Sequence, residues 1–182
     1  MPYFENMLAG VILRDGCFGL TIEKPTAYNG VPNPIQVLAN ASAALINQPN
    51  FDNKTGTGAG TGSAIIISSG ASSNLGVIVR GGYIQGFVNG VLDSGIGTKI
   101  TDTYFEANTA ADISFVAARN SEAKSTQHFG GVGTVAVIAK NSDAITVWEP
   151  TMASGSRTGM LDFDTSNTNC VYYNAGVNVP TA

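Results

Sequence analysis

The sequence predicts an all-β fold wound as a parallel β-solenoid. Three observations predict it: an apolar pattern that returns at a nearly fixed step, period-two alternation inside short apolar runs, and turn residues between the runs. Gly, Thr, Asn and Ser supply 69 of the 182 residues, or 38%, a mixture that favours short strands joined by tight turns. In the recurring pattern an apolar residue is followed three positions on by Pro, Gly or Thr and five positions on by a second apolar residue. It reads Ile22/Pro25/Ala27, Ile46/Pro49/Phe51, Val79/Gly82/Ile84, Ile100/Thr103/Phe105 and Val147/Pro150/Met152, with degenerate copies starting at Lys124, ending on Phe129, and at Val171. The starts are separated by 24, 33, 21, 24, 23 and 24 residues, the self-similarity expected of a stacked repeat.

Taken in order, residues 1–16 read as an N-terminal cap or first partial coil. Phe4, Met7, Leu8, Val11 and Ile12 fall at helical intervals, which predicts a short capping helix over Tyr3 to Arg14, with a strand at Gly10 to Leu13 as the alternative. Residues 17–176 form the solenoid of about seven coils, and 177–182 a tail. The long step holds Lys54 to Gly62, KTGTGAGTG, read as a loop bulging from one coil. A second set of apolar runs lies between the starts: Ile35 to Leu38, Ile65 to Ile67, Val88 to Leu92, Ile113 to Phe115, Val135 to Ile138 and Met160 to Phe163. A repeat of roughly 23 residues cannot bury its own apolar side, but stacked copies can. An antiparallel sandwich also shows many short strands between turns, but it does not require one recurring step.

Composition narrows function by exclusion. A formal net charge of −4 offers no basic stripe for phosphates, so neither nucleic acid nor an anionic membrane surface is an expected partner. The uncharged stretch Pro25 to Phe51 contains three further prolines and five asparagines and fails as a membrane span. The first residues lack the basic and apolar segments of an export signal. Cys17 and Cys170, 153 residues apart, form no metal-ligand pair and read as buried or idle thiols, with a disulfide left open.

The segments GVIVRGGYIQGFVNGVLDSG (76–95), GTKITDTYFEANTAADISF (97–115) and SDAITVWEPTMASG (142–155) resemble the right-handed parallel β-helix of the pectate-lyase-like superfamily. Within it they are most similar to the β-helical parts of bacteriophage tailspikes and virion fibres. The resemblance covers about residues 17–176 and is one of pattern. It implies a homotrimer of side-by-side solenoids, extracellular when mature, that meets other virion proteins and binds, sometimes cleaves, bacterial surface polysaccharide. The Asn-Thr-Asp, Asp-Asp and Gly-His-Gly elements of polygalacturonase-like enzymes are missing, and His128 sits in Gln-His-Phe-Gly. Asp93, Asp102, Glu106 and Asp112 lack the Asp-x-Asp calcium loop of pectate lyases, so no metal and no cofactor is expected, with calcium a weak alternative.

The residues themselves offer one chemical arrangement. Aligning the repeats places Asp102, Thr126 and Glu149 at one offset, with Asp102 and Glu149 two coil steps, about 9.6 Å, apart. That lies near the upper end of the roughly 6.5–9.5 Å spacing of an inverting glycosidase. These two would be acid and base, supported by Glu106. Trp148 would point outward beside Glu149 and stack on a sugar, with Tyr104, Tyr83 and Arg80 as further glycan contacts. The bland alternative is two solvated carboxylates at a strand end and a tryptophan against a neighbouring subunit. Asp162 and Asp164 alternate with Leu161 and Phe163 and read as solvent-face decoration. His128, before an expected inward Phe129, reads as a surface contact. GTGAGTG lacks the Lys-Ser/Thr ending of a phosphate loop. Asn40, Asn89, Asn108 and Asn141 read as turn formers. The expected function is a glycan-binding virion component, with a tailspike polysaccharide depolymerase as the alternative.

Overall fold

The structure, a computed structural model, describes residues 3–5, 10–14, 16–55, 60–69, 76–130, 135–152 and 159–173. They contain 21 short strands and no helix. Every strand pairs in parallel with the equivalent strand one coil away, which excludes the antiparallel sandwich.

Three seven-stranded sheets result. Sheet 1 holds β1 (Tyr3–Glu5), β4 (Thr26–Tyr28), β7 (Asn50–Asp52), β10 (Tyr83–Gln85), β13 (Tyr104–Glu106), β16 (Gln127–Phe129) and β19 (Thr151–Met152). Sheet 2 holds β2 (Val11–Leu13), β5 (Ile35–Val37), β8 (Ser63–Ile67), β11 (Asn89–Asp93), β14 (Ala111–Val116), β17 (Val135–Lys140) and β20 (Gly159–Phe163). Sheet 3 holds β3 (Thr21–Glu23), β6 (Leu45–Asn47), β9 (Ile78–Arg80), β12 (Lys99–Thr101), β15 (Glu122–Lys124), β18 (Thr146–Trp148) and β21 (Val171–Tyr173). The chain visits the sheets in turn, so equivalent positions sit one above another through six coil-to-coil steps.

Each sheet sends side chains inward, sheets 1 and 3 in one column and sheet 2 in two, the second of these being Val37, Ile67, Asp93, Phe115 and Ala139. Sheet 1 contributes Ala27, Phe51, Ile84, Phe105 and His128, sheet 2 Ile35, Ile65, Val91, Ile113 and Val137, and sheet 3 Ile46, Val79, Ile100, Ala123 and Val147, all essentially inaccessible. Burying a large aliphatic or aromatic side chain contributes about 1.5–3 kcal/mol, and stacking lets a three-residue strand realise it. The excess length between Ile46 and Val79 is shared by two connections, Asp52 to Ser63 and Ile67 to Ile78. Residues 56–59 of the Gly-rich segment lie outside the described residues.

Three expectations need correction. Tyr3–Glu5 and Val11–Leu13 are strands, not parts of a capping helix, because β4 and β5 offer them hydrogen-bonding edges that a helix would leave unpaired. The fifth and seventh repeats start at Ala123 and Tyr172, one residue away from Lys124 and Val171, since Ile100 pairs with Ala123 and Val147 with Tyr172. Cys17 and Cys170 are half-buried and belong to the first and last coils. Six coil steps, about 29 Å, separate those coils, far beyond the roughly 7 Å limit for a disulfide.

At the corner from sheet 3 to sheet 1, Lys24, Gln48, Gly81, Asp102, Ser125 and Glu149 all adopt positive φ, between 46° and 64°. Each donates its N–H to a carbonyl of the next coil, at 2.7–3.1 Å. Left-handed geometry costs a non-glycine residue about 1–2 kcal/mol, and the ladder of hydrogen bonds holds the corner there despite that cost.

Gly90 illustrates how tightly the coils close. A Cβ there would lie 2.5 Å from the Asp112 carbonyl oxygen and 2.6 Å from Phe105 Cδ1, whereas one at Gly159 meets nothing within 4 Å. Gly90→Ala is expected to lower stability by about 1–3 kcal/mol, the usual scale of overpacking, and Gly159→Ala by less than about 0.5 kcal/mol. Urea melts followed by circular dichroism check this; equal midpoints for the two variants would contradict it.

Candidate functional site

The structure divides the expected site residues among three surfaces. Asp102 and Glu149 share the exposed corner column, two coil steps apart, and the residue between them is Ser125, not Thr126. Both fill a left-handed turn position that the corner requires in every coil, so their placement follows from backbone geometry first. Arg80 and Trp148 lie on the outward face of sheet 3, in the column Glu23, Asn47, Arg80, Thr101, Lys124, Trp148, Tyr173. Arg80 Nε donates to Asn47 Oδ1 at 3.2 Å. Trp148 does point outward, but one ring face is covered by Tyr173, with centroids 3.9 Å apart and planes 11° from parallel.

Tyr83, Tyr104 and Glu106 come together on the outward face of sheet 1. Two columns run there side by side: Asn50, Tyr83, Tyr104 and Gln127, and Tyr28, Asp52, Gln85, Glu106 and Phe129. The phenol rings of Tyr83 and Tyr104, one coil apart, stack at 5.2 Å and 25°. Tyr83 Oη donates to Glu106 Oε2 at 2.8 Å and also meets Gln85 Oε1, while Lys54 Nζ donates to Glu106 Oε1 at 2.7 Å. Asn50 Nδ2 donates to Tyr28 Oη at 2.6 Å. The Lys54 hydrogen bond, aided by Tyr83, pulls the Glu106 carboxyl below its ordinary value. Partial burial, then the hydrogen bond and charge of Glu106, push the Tyr83 phenol up, and burial with the same charge raises Tyr104. The cluster therefore presents protonated phenols, an ionised carboxylate and amides: hydrogen-bonding groups beside aromatic faces. A carboxyl held ionised by lysine is a poor general acid.

The sequence misplaces one buried polar group. His128 is buried, not a surface contact, and Phe129 is the exposed neighbour. His128 occupies the inward column of Phe51, Ile84 and Phe105, and its ring stacks on Phe105 at 5.6 Å. Its Nδ1 lies 2.9 Å from Asp112 Oδ2 and its Nε2 2.9 Å from Thr126 Oγ1, while Asn108 Nδ2 donates to Asp112 Oδ1 at 2.8 Å. In connectivity this resembles a nucleophile, a base and an orienting acid, but all four side chains are sealed in the core, where no substrate reaches them. The available signal was Thr126 itself. It stands three residues after Ala123, at the offset of Pro25, Pro49, Gly82 and Thr103.

Asp93 is also internal. Gly95 N–H, Thr98 Oγ1 and Ser121 Oγ donate to it at 2.8–2.9 Å, yet burial dominates and raises its carboxyl above the ordinary value. Asp93 and Asp112 thus lie inside, with Asp102 and Glu106 on separate outer surfaces. Among the described residues no group of three or more His, Cys, Asp or Glu side chains is placed to hold a metal ion. Asp162 faces outward from β20, while Asp164 follows the strand and accepts hydrogen bonds from Ser166.

No family model and no curated protein matches the chain. Among solved structures it is similar to a Parabacteroides merdae protein described as a "putative glycosyl hydrolase", at 11% identity and a TM-score of 0.39, over 91% of this chain and 75% of that one. A likeness of that size transfers neither residues nor activity.

The Glu106 contacts carry a pH signature. Because its carboxyl is lowered in the folded chain, it contributes stability above the ordinary 4.5 that is lost as pH falls through its lowered value. Glu106→Gln is expected to be less stable than wild type at pH 7, by at most about 1 kcal/mol for a pair at the surface. The gap should narrow at pH 3. Urea midpoints at the two pH values measure it, and a gap independent of pH would contradict it.

Proposed function

We propose that the chain is a noncatalytic, glycan-binding solenoid whose binding platform is the outward face of sheet 1. The observation that carries this reading is the Tyr83–Tyr104 stack beside Glu106, Gln85 and Lys54. Aromatic faces pack on the apolar faces of sugar rings, and carboxylate, amide and ammonium groups beside them match the hydroxyls at the ring edges. Parallel stacking sets such contacts at about 4.8 Å intervals along a flat surface, which suits an extended polymer. The resemblance of residues 76–95, 97–115 and 142–155 to tailspike and fibre β-helices supports a bacterial surface polysaccharide as ligand. It also supports a trimeric virion projection, outside the cell when mature and in contact with other virion proteins, as the setting. Trp148 and Arg80 on sheet 3 are secondary contacts in this reading.

A second reading, a depolymerase, is favoured by one observation: Asp102 and Glu149 share a column two coils, about 9.6 Å, apart. Inverting hydrolysis places its carboxyls on opposite sides of the scissile bond. These two stand on one line of an outer corner with Ser125 between them, which favours binding over cleavage. Glu106, tied to Lys54, would have to leave that ion pair to assist.

Polysaccharide binding by calorimetry, with reducing-end release from the same samples, separates the readings. Tyr104→Ala is expected to weaken binding about tenfold or more, the loss of roughly 1.4 kcal/mol or above. Asp102→Asn should leave binding unchanged, and no reducing ends should accumulate. Release that disappears in Asp102→Asn would establish the depolymerase instead.

A further inference from the structure

The charges around the tyrosine stack on sheet 1 are uneven. Asp52 and Glu106 stand in one outward column, one coil either side of Gln85, and neither is buried. Lys54, just past β7, reaches over two coils to Glu106, Nζ to Oε1 at 2.7 Å, with the two side chains 40% and 22% exposed. Asp52 accepts the backbone N–H of Lys54 at 3.0 Å and, among the described residues, joins no ion pair. At the corner bordering the face stand Lys24, Asp102 and Glu149. Lys24 lies two coils, about 9.6 Å, from the level of Tyr83, while Asp102 belongs to the coil of Tyr104. The face and this border therefore hold four carboxylates and two lysines, and the nearer lysine is already paired. Burial, the Glu106 hydrogen bond and then the charges of Glu106 and Asp52 push the Tyr83 phenol up, so both carboxylates are felt at the stack.

We propose that the Lys54–Glu106 pair sets the charge selectivity of this platform, admitting neutral and amino-bearing sugars and turning away uronates and other acidic ones. The inference rests on the glycan-binding reading above and adds the class of sugar. A sugar carboxylate brings acceptors only and needs a cation or a donor to meet it. The ammonium and the phenol that would answer it, Lys54 Nζ and Tyr83 Oη, are both turned onto Glu106. To recruit Lys54 an acidic ligand must displace Glu106, and it then lies beside a freed carboxylate of its own sign, with Asp52 one coil beyond Gln85. Sugar hydroxyls and ammonium groups meet the opposite situation. Ionised carboxylates accept hydrogen bonds at several positions, so Glu106 can hold its two protein donors and still receive a third, and Asp52 offers further acceptor sites. The chain as a whole, at a net charge of −4, adds repulsion of the same sign at longer range. Lys54 is thus a specificity residue through its partner: paired, it is withheld from anions, and unpaired, it would attract them.

An array of purified bacterial surface polysaccharides in three classes, neutral, amino-bearing and uronate-bearing, tests it, with calorimetry on the polymers that bind. Wild type is expected to bind neutral or amino-bearing polymers at least about tenfold more tightly than uronate-bearing ones at low salt. Raising the salt to about 0.5 M should narrow that ratio, since exposed charges are then screened within a few ångströms. Glu106→Gln removes one carboxylate and releases Lys54, so uronate binding should strengthen about tenfold. Adding Lys54→Met to Glu106→Gln should abolish most of that gain, an outcome that a merely structural role for the pair would not produce. Circular dichroism spectra matching wild type confirm that both variants are folded. Equal wild-type affinity for the acidic and neutral classes would overturn the proposal, as would a ratio unchanged in Glu106→Gln or a gain that survives Lys54→Met. The selectivity and the platform fail differently. Binding that is lost in Tyr104→Ala but blind to charge sinks the selectivity alone, whereas no binding in any class, or binding indifferent to Tyr104→Ala, sinks the platform and the selectivity with it.

Discussion

Parallel hydrogen bonding between coils, held in strict register, is the constraint on which the rest of the molecule depends. A three-residue strand has too few partners to persist alone, but here each such strand between the two end coils is clamped between equivalents above and below. The same register decides which side chains share a column, and with it every surface described above. It also explains why Lys24, Gln48, Asp102, Ser125 and Glu149 accept left-handed backbone angles that their side chains disfavour. The N–H of each has a carbonyl waiting one coil away, and relaxing one φ would break that rung.

The interior is more polar than its aliphatic columns imply. Asp93 is met by three donors, and the Asp112 carboxylate lies between His128 and Asn108, with Thr126 completing the chain of contacts. Removing one member of such a network leaves a buried polar group exposed to an apolar core, which costs more than the network gains over a hydrophobic replacement. Its consequence is specificity of register: a one-residue slip of β16 would carry His128 away from Asp112 and bring Phe129 inward. The polar contacts therefore discriminate between two windings that the apolar pattern alone leaves close together.

That near-degeneracy is why the sequence was legible in outline and not throughout. Ile22, Ile46, Val79, Ile100 and Val147 are large and apolar and, apart from the one long step between Ile46 and Val79, recur at about one or two coil lengths, so the stack followed from them. Ala123 is small and followed by Lys124, and His128 sits beside the more obviously apolar Phe129, so the fifth repeat read one residue out of phase. The helix over Tyr3 to Arg14 failed for a related reason: local spacing fits either structure, and pairing with Thr26–Tyr28 and Ile35–Val37 decides between them. Of the site, the common offset of Asp102 and Glu149 was legible because it needs only the step length. The link from Lys54 to Glu106 was not, because Lys54 lies in a connection of irregular length, where counting residues gives no position.

Engineered cysteines test the register most directly. The structure pairs Thr101 with Lys124 as outward neighbours on adjacent coils. Neighbouring parallel strands lie about 4.8 Å apart, within the Cα separation that a disulfide spans. In a background with Cys17 and Cys170 replaced by serine, Thr101→Cys with Lys124→Cys should cross-link under mild oxidation within a single chain, and Thr101→Cys with Ser125→Cys should not. Cross-linking of the Ser125 pair in preference to the Lys124 pair, or of neither, would contradict the winding from which the platform follows.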